Sequence, residues 1–165
     1  MKKAPYDREK AVSYAHQWAY GRNPQFYNFD LLGGDCTNFV SQAVYAGAGV
    51  MNPKPTFGWY YYSLNNRAPA WTGVEFLYKF LVKNLGVGPV GVETDMTQVA
   101  PGDIIQLASE GMAYTHSTVI VSVGASPSPA NILVAAHTLD TDNRPLDTYE
   151  YVNVRYLHIT HVNSW

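Results

Sequence analysis

The sequence contains a single cysteine, Cys36, so no disulfide can close within the chain and the fold must stand on its hydrophobic core. It has no apolar run of about 18 residues, the length a membrane-spanning helix needs, and no membrane span is expected. The opening MKKAPYDREK carries two lysines with no apolar stretch behind them, and no signal peptide is read there. The expected location is therefore cytoplasmic, or secreted or in the cell envelope if a leader has been removed. Lysine and arginine do not cluster, and a net charge of -2 with a pI near 6.2 supplies no broad positive field, which argues against a nucleic-acid partner. Paired CxxC and HExxH elements are missing, so neither zinc nor any other cofactor is expected. Internal repeats and low-complexity tracts are missing as well.

What is present is a chain of 165 residues, 47% hydrophobic and 15% charged, which reads as one domain over 1–165 with enough material for a core. Aromatic residues make up 14%, with 13 tyrosines, more rings than a core of this size needs. Some of them are expected to face a groove, the run Trp59 to Tyr62 first among them.

Helical periodicity dominates the first half. The segment from Tyr6 to Gly21 reads as an amphipathic helix, because Ala11, Tyr14, Ala15, Trp18 and Ala19 recur at helical spacing after Asp7, a capping residue, and Gly21 stops it. The segment RNPQFYNFDLLGG, 22–34, is an aromatic loop with turn chemistry. A second helix is expected from Cys36 to about Ala48, with Phe39, Val40, Ala43 and Val44 on one face and Asp35 at its N-cap. Residues 51–71 carry three prolines and predict a surface loop or a partly helical insertion. Thr72 to Glu75 has the spacing of a capping box and opens a third helix ending at Gly86.

The second half changes to a strand period. IIQLA after the PGD turn, HSTVIVSV, ILVAAHT and YVNVRYLHITHV are β-rich segments separated by turns such as SPSPAN. Helices first and an antiparallel sheet second predict an α+β fold.

Cys36 falls in the first turn of the second helix, where unpaired amide N–H groups and the positive end of the helix dipole favour a thiolate. Gly33 and Gly34 permit a tight entry and leave room above the sulfur. A lone cysteine is commonly a small core residue, and its position after GGD is the reason to read it as a nucleophile. Such a thiol needs a base, usually a histidine from elsewhere in the chain. Of five histidines, His16 lies mid-helix facing solvent, and His158 and His161 lie in the last strand with structural or surface roles. His116 begins one β-branched run and His137 ends another. Cys36 and His116 are 80 residues apart and can meet only if the helix start packs against the sheet edge. Asp35 has two readings, helix N-cap or recognition of a substrate amine. Help to an oxyanion beyond the Cys36 amide is open to Asn23, Gln25 or Tyr27, and Trp59 is a candidate for the substrate groove.

The segments YDREKAVSYAHQWAYGRNPQFYNFD, GGDCTNFVSQ, PGDIIQL, HSTVIV and AAHTLD followed by NRPL, in this order, resemble an amidase-domain family of bacterial proteins related to the NlpC-type and CHAP papain-like amidases. The resemblance covers most of the chain, with 51–71 the least diagnostic part. It implies a papain-like core in which Cys36 is the nucleophile, His116 the general base and His137 the third, polar member orienting the base. Asp140 is the alternative for that third place, with Asn131 behind it. It also implies hydrolysis of amide or peptide bonds through a thioester, with peptidoglycan stem peptides as the candidate substrate. Two alternatives stay open: acyl transfer to an amine or alcohol, and a catalytically silent binding module of the same fold.

Overall fold

The computed structural model describes residues 1–165. In chain order the elements are β1 (Lys2–Ala4), α1 (Arg8–Trp18), α2 (Cys36–Ala48), β2 (Tyr61–Ser63), β3 (Asn66–Arg67), α3 (Pro69–Thr72), α4 (Val74–Lys83), β4 (Gly88–Thr94), β5 (Ile104–Ala108), β6 (His116–Val123), β7 (Ile132–Ala136), β8 (Thr141–Pro145) and β9 (Asn153–Ser164). The fold is α+β, with an antiparallel seven-stranded sheet in the order β1-β9-β5-β6-β7-β8 and β4 also paired to β9. No helix is long and apolar enough to cross a membrane.

Both faces of the sheet are apolar, which explains why its strands read as nearly continuous hydrophobic runs. Because side chains alternate along a strand, Ile104, Val119, Val121, Ala135 and Leu157 go to one face with the helices. Ile105, Leu107, Ile120, Ile132 and Val134 go to the other, where they meet Val99 and Leu146.

Central to the helical layer is α2, ten of whose thirteen residues are buried. Phe39, Val40, Ala43 and Val44 are all fully inside, and removing a side chain like that of Phe39 costs about 3–5 kcal/mol in a well-packed core. Gly47 lets the start of α1 come against it, since a Cβ there would lie 2.6 Å from the Asp7 carbonyl oxygen and from the Tyr6 ring. Gly49 ends the helix in the left-handed region, with its N–H donating to Tyr45 O at 2.8 Å.

Several local expectations are corrected. The first helix is shorter than 6–21, although Asp7 does cap it by accepting from Lys10 N at 3.0 Å. Thr72 and Glu75 form no capping box: Thr72 closes α3, Gly73 precedes α4 without a side-chain cap, and Glu75 pairs with Arg155 at 2.8 Å. The 51–71 insertion is an ordered cover, with an Asn52–Trp59 bridge, the β2–β3 hairpin and α3. Trp59 and Trp71 are completely buried, and their indole N–H groups donate to Ser41 Oγ (3.1 Å) and Asn38 Oδ1 (3.0 Å) of α2. Trp59 is thus a core residue and not a groove wall. Of the run Trp59–Tyr62 only Tyr62 is exposed.

Candidate active site

The approach to α2 bends through Gly33 (φ +86°) and Gly34 (φ +99°), conformations that disfavour any residue with a Cβ. Space above Gly33 is open. Cys36 follows at the first helical position, 9% exposed, with its Sγ 3.7 Å from Thr37 Oγ1. No side chain caps this helix, so its first-turn amides are not taken by a neighbouring carboxylate or hydroxyl.

Asp35 stands at the N-cap position but does not cap, because its carboxylate turns inward to stronger partners. It accepts from Phe29 N (2.8 Å), from Asn38 Nδ2 (2.9 Å) and from His137 Nδ1, and Arg22 Nε lies 3.5 Å away. Burial works to raise its pKa, but the bonds from His137, Asn38 and Phe29 outweigh it and hold the carboxyl below the ordinary range. A carboxylate this enclosed and this fully bonded is not available to a substrate amine.

His137 is equally occupied. Its Nε2 lies 2.8 Å from the Trp18 carbonyl oxygen and 3.2 Å from an Arg22 nitrogen, and its ring stacks on Phe39 with centroids 4.0 Å apart. Both ring nitrogens being engaged, His137 makes no bond to His116. Asp140 is held by Arg22 through two bonds of 2.9 Å, and the same guanidinium bonds Asp30 at 3.0 and 3.1 Å. Asn131 staples its own turn, accepting from Ser128 N and donating to Ser126 O.

His116 lies on the other side of the site. A buried bond of 3.0 Å between Thr37 Oγ1 and Ser117 Oγ ties the start of α2 to the start of β6. Gln106 donates to Ser117 Oγ and accepts from Arg155 Nε, extending this polar line to the Arg155–Glu75 pair. Since Ser117 faces α2, alternation sends His116 toward the second core, opposite Leu107, with its ring 5.9 Å from that of Tyr149. Cys36 and His116 share no hydrogen bond in this conformation. Burial first, and the positive charge of Arg144 second, push the His116 pKa down from 6.5 to about 4, so the imidazole is neutral at pH 7. Arg144 lies 3.6 Å over the Tyr149 ring, and the Tyr149 hydroxyl is buried with no partner.

The remaining candidates serve the loop before α2. Asn23 accepts from Gln25 N and donates to Tyr14 OH, and Gln25 is exposed. Tyr27 is exposed as a side chain, while its backbone donates to Tyr61 OH and accepts from Asn38 Nδ2. His16 pairs with Asp142, His158 with Asp103 and His161 with Thr160. The PGD motif has a structural use: buried Asp103 takes Arg8 at 2.8 Å, His158 at 2.6 Å and the backbone N–H groups of Ala100 and Ile159. The sequence reading missed Arg22, Arg144, Tyr149 and the Thr37–Ser117 bond. Only the polar residues in the apolar runs TNFV and HSTV pointed to the last.

With this geometry in hand, comparison with known proteins finds 32% identity over 143 residues to the uncharacterized protein YhbB of Bacillus subtilis (strain 168). The match takes in 84% of this chain but only 43% of the relative, so the chain spans less than half the relative's length. No solved structure matches it. Residues 5–160 match the model of the family described as "Putative amidase domain", and the chain belongs to that family, whose name points to amide hydrolysis.

Proposed function

We propose that the protein is a cysteine-dependent amidase in which Cys36 is the nucleophile and His116 its general base. One observation carries this reading. Of the five histidines, His116 alone makes no hydrogen bond, and it stands one residue from the Thr37–Ser117 bond that ties β6 to the Cys36 turn. The other four imidazoles are committed elsewhere. A neutral ring has a lone pair with which to accept the thiol proton.

In the proposed reaction the start of β6 rearranges as substrate enters, carrying the His116 ring from the Tyr149 side of the sheet to the sulfur. His116 removes the Sγ proton, and the thiolate adds to the amide carbonyl carbon. First-turn amides of α2 stabilise the oxyanion. The C–N bond breaks as the imidazolium returns its proton to the departing amine, leaving a thioester. Water then attacks, His116 takes one of its protons, and the acid leaves as the thiol is restored. Asp35 and His137 act on the nucleophile side, holding the turn in place. A nucleophile at a helix start against an antiparallel sheet supports kinship with the papain-like NlpC and CHAP amidases, and with it a single catalytic domain over 1–165. Peptidoglycan stem peptides are the proposed substrate class.

The test is incubation of wild type and Cys36→Ala with purified peptidoglycan and a peptide panel, followed by mass analysis of new amines. New amines from the wild type alone are expected. Release by both proteins would remove Cys36 from the reaction.

A further inference from the structure

A cavity of about 450 Å³ lies between the 52–59 hairpin and the outer face of α4, and it shares no residue with the Cys36 site. Three lysines line it, Lys54, Lys79 and Lys83, with no aspartate or glutamate among the lining residues. None of the three takes part in an ion pair. In a chain of net charge -2 that carries 11 basic residues, this is a local concentration of uncompensated positive charge. Its field is opposite in sign to that of the whole molecule.

The walls are apolar. Phe57 and Phe76 are 74% and 52% exposed, aromatic surface that burial in the core does not explain. Phe76, Lys79 and Lys83 recur at spacings of three and four, so one face of α4 presents a ring and two ammonium groups together.

The opposite wall is preformed. Asn52 and Trp59 exchange backbone bonds of 2.9 and 2.8 Å, Gly58 N donates to Lys54 O at 2.9 Å, and Lys54 N donates to the Asn52 side chain at 3.0 Å. Gly58 is required, since a Cβ there would lie 2.4 Å from the carbonyl oxygens of both Asn52 and Lys54. Thr56, between Lys54 and Phe57 at the rim, is held at φ +66°, a strained conformation for a β-branched residue. Such strain is typical of ligand clamps, where the surrounding structure holds it in place.

We propose that this cavity binds an organic anion, with an acidic group among the three lysines and an apolar or aromatic body between Phe57 and Phe76. The experiment is an amide-shift titration of the full chain with phenyl phosphate, using inorganic phosphate and benzyl alcohol as comparisons. It needs no turnover, so its outcome is independent of the amidase reading. The expected result is saturable shifts confined to residues 52–59 and 76–86 with phenyl phosphate, weaker binding of both comparison compounds, and weakening as salt is raised toward about 0.5 M. The double variant Lys79→Gln, Lys83→Gln, on an exposed helix face, is expected to bind about tenfold more weakly with unchanged thermal stability. Absence of saturable shifts would overturn the proposal. Equal binding by the double variant would remove the lysines from it, and equal binding of inorganic phosphate or benzyl alcohol would remove the two-part recognition; either result also overturns it.

Discussion

The two sides of the candidate site differ in how completely their polar groups are satisfied. On the nucleophile side Asp35 takes bonds from three partners, His137 is engaged at both nitrogens, and Arg22 is shared among Asp30, Asp35 and Asp140, with its buried Nε alone left without a hydrogen bond. On the base side His116 has no hydrogen bond and the Tyr149 hydroxyl is buried without a partner. A densely bonded buried network holds its members in one arrangement, whereas a ring that makes no hydrogen bond has none to break when it moves. The nucleophile side is thus held by bonds that the base side lacks.

Removing a member of each side should separate activity from stability. His116→Ala is expected to lower amide hydrolysis by about 10²–10⁴-fold while leaving the melting temperature nearly unchanged, because no bond is lost. Cys36→Ala should lose at least about 10³-fold by the same assay. Asp35→Ala removes a buried charge from beneath His137 and Arg22 and should destabilise the fold by about 3–5 kcal/mol, read by urea or thermal unfolding. If His116→Ala unfolds the protein or Asp35→Ala leaves it as stable as before, the contrast between the two sides fails.

Titration sharpens the same contrast. Asp35 has a folded pKa below its unfolded one, so its contribution is complete above the ordinary carboxylate range and is lost as pH falls through the folded value. Asp35→Asn should flatten that acidic limb of the stability curve. His116 is depressed from 6.5 to about 4, so between these values the unfolded chain binds more protons than the folded one. Its share of stability is therefore complete above pH 6.5 and declines down to about pH 4. If His116 is the base, the acid limb of kcat/KM should fall near pH 4, well below that of an ordinary histidine. Arg144→Gln removes the second cause of the shift and should move that limb upward, while a limb indifferent to Arg144 would separate the active base from this ring.

How much of this was legible in the sequence depends on how local each cause is. The start of α2 at Cys36 was readable, because the glycine pair before it and the apolar spacing after it lie within one segment. The strands β5, β6, β7 and β9 were readable from their β-branched runs. Strand β4 was not: its glycines and proline belong to a poor strand former, and Gly91 is there because a Cβ would come within 3.3 Å of Leu81 on α4 and of the His158 carbonyl. Polar β8, with Pro145 and with Asn143 at positive φ, was hidden for a related reason, being an edge strand held by β7. Asp35 read as a helix cap because Phe29 and Asn38 look like ordinary neighbours, and because His137 and Arg22 reach it only through the fold. His137 was singled out with His116 as a histidine of the sheet, but its partners Asp35 and Trp18 could not be read from its own strand.

The smallest expected effect is at Tyr149. Its hydroxyl is buried without a partner and burial raises its pKa, whereas its ring carries the Arg144 guanidinium at 3.6 Å and supports His116. The ring and the hydroxyl therefore contribute with opposite sign. Tyr149→Phe keeps the cation–π contact and removes an unsatisfied polar group, so stability should stay level or rise by up to about 1 kcal/mol, with activity and its acid limb unchanged. Tyr149→Ala should instead uncover His116, relieve the desolvation that depresses its pKa and move the acid limb toward pH 6.5. A tenfold loss of activity in Tyr149→Phe at unchanged stability would mean that the hydroxyl finds its partner only when substrate is bound, and would count Tyr149 among the groups that bind it.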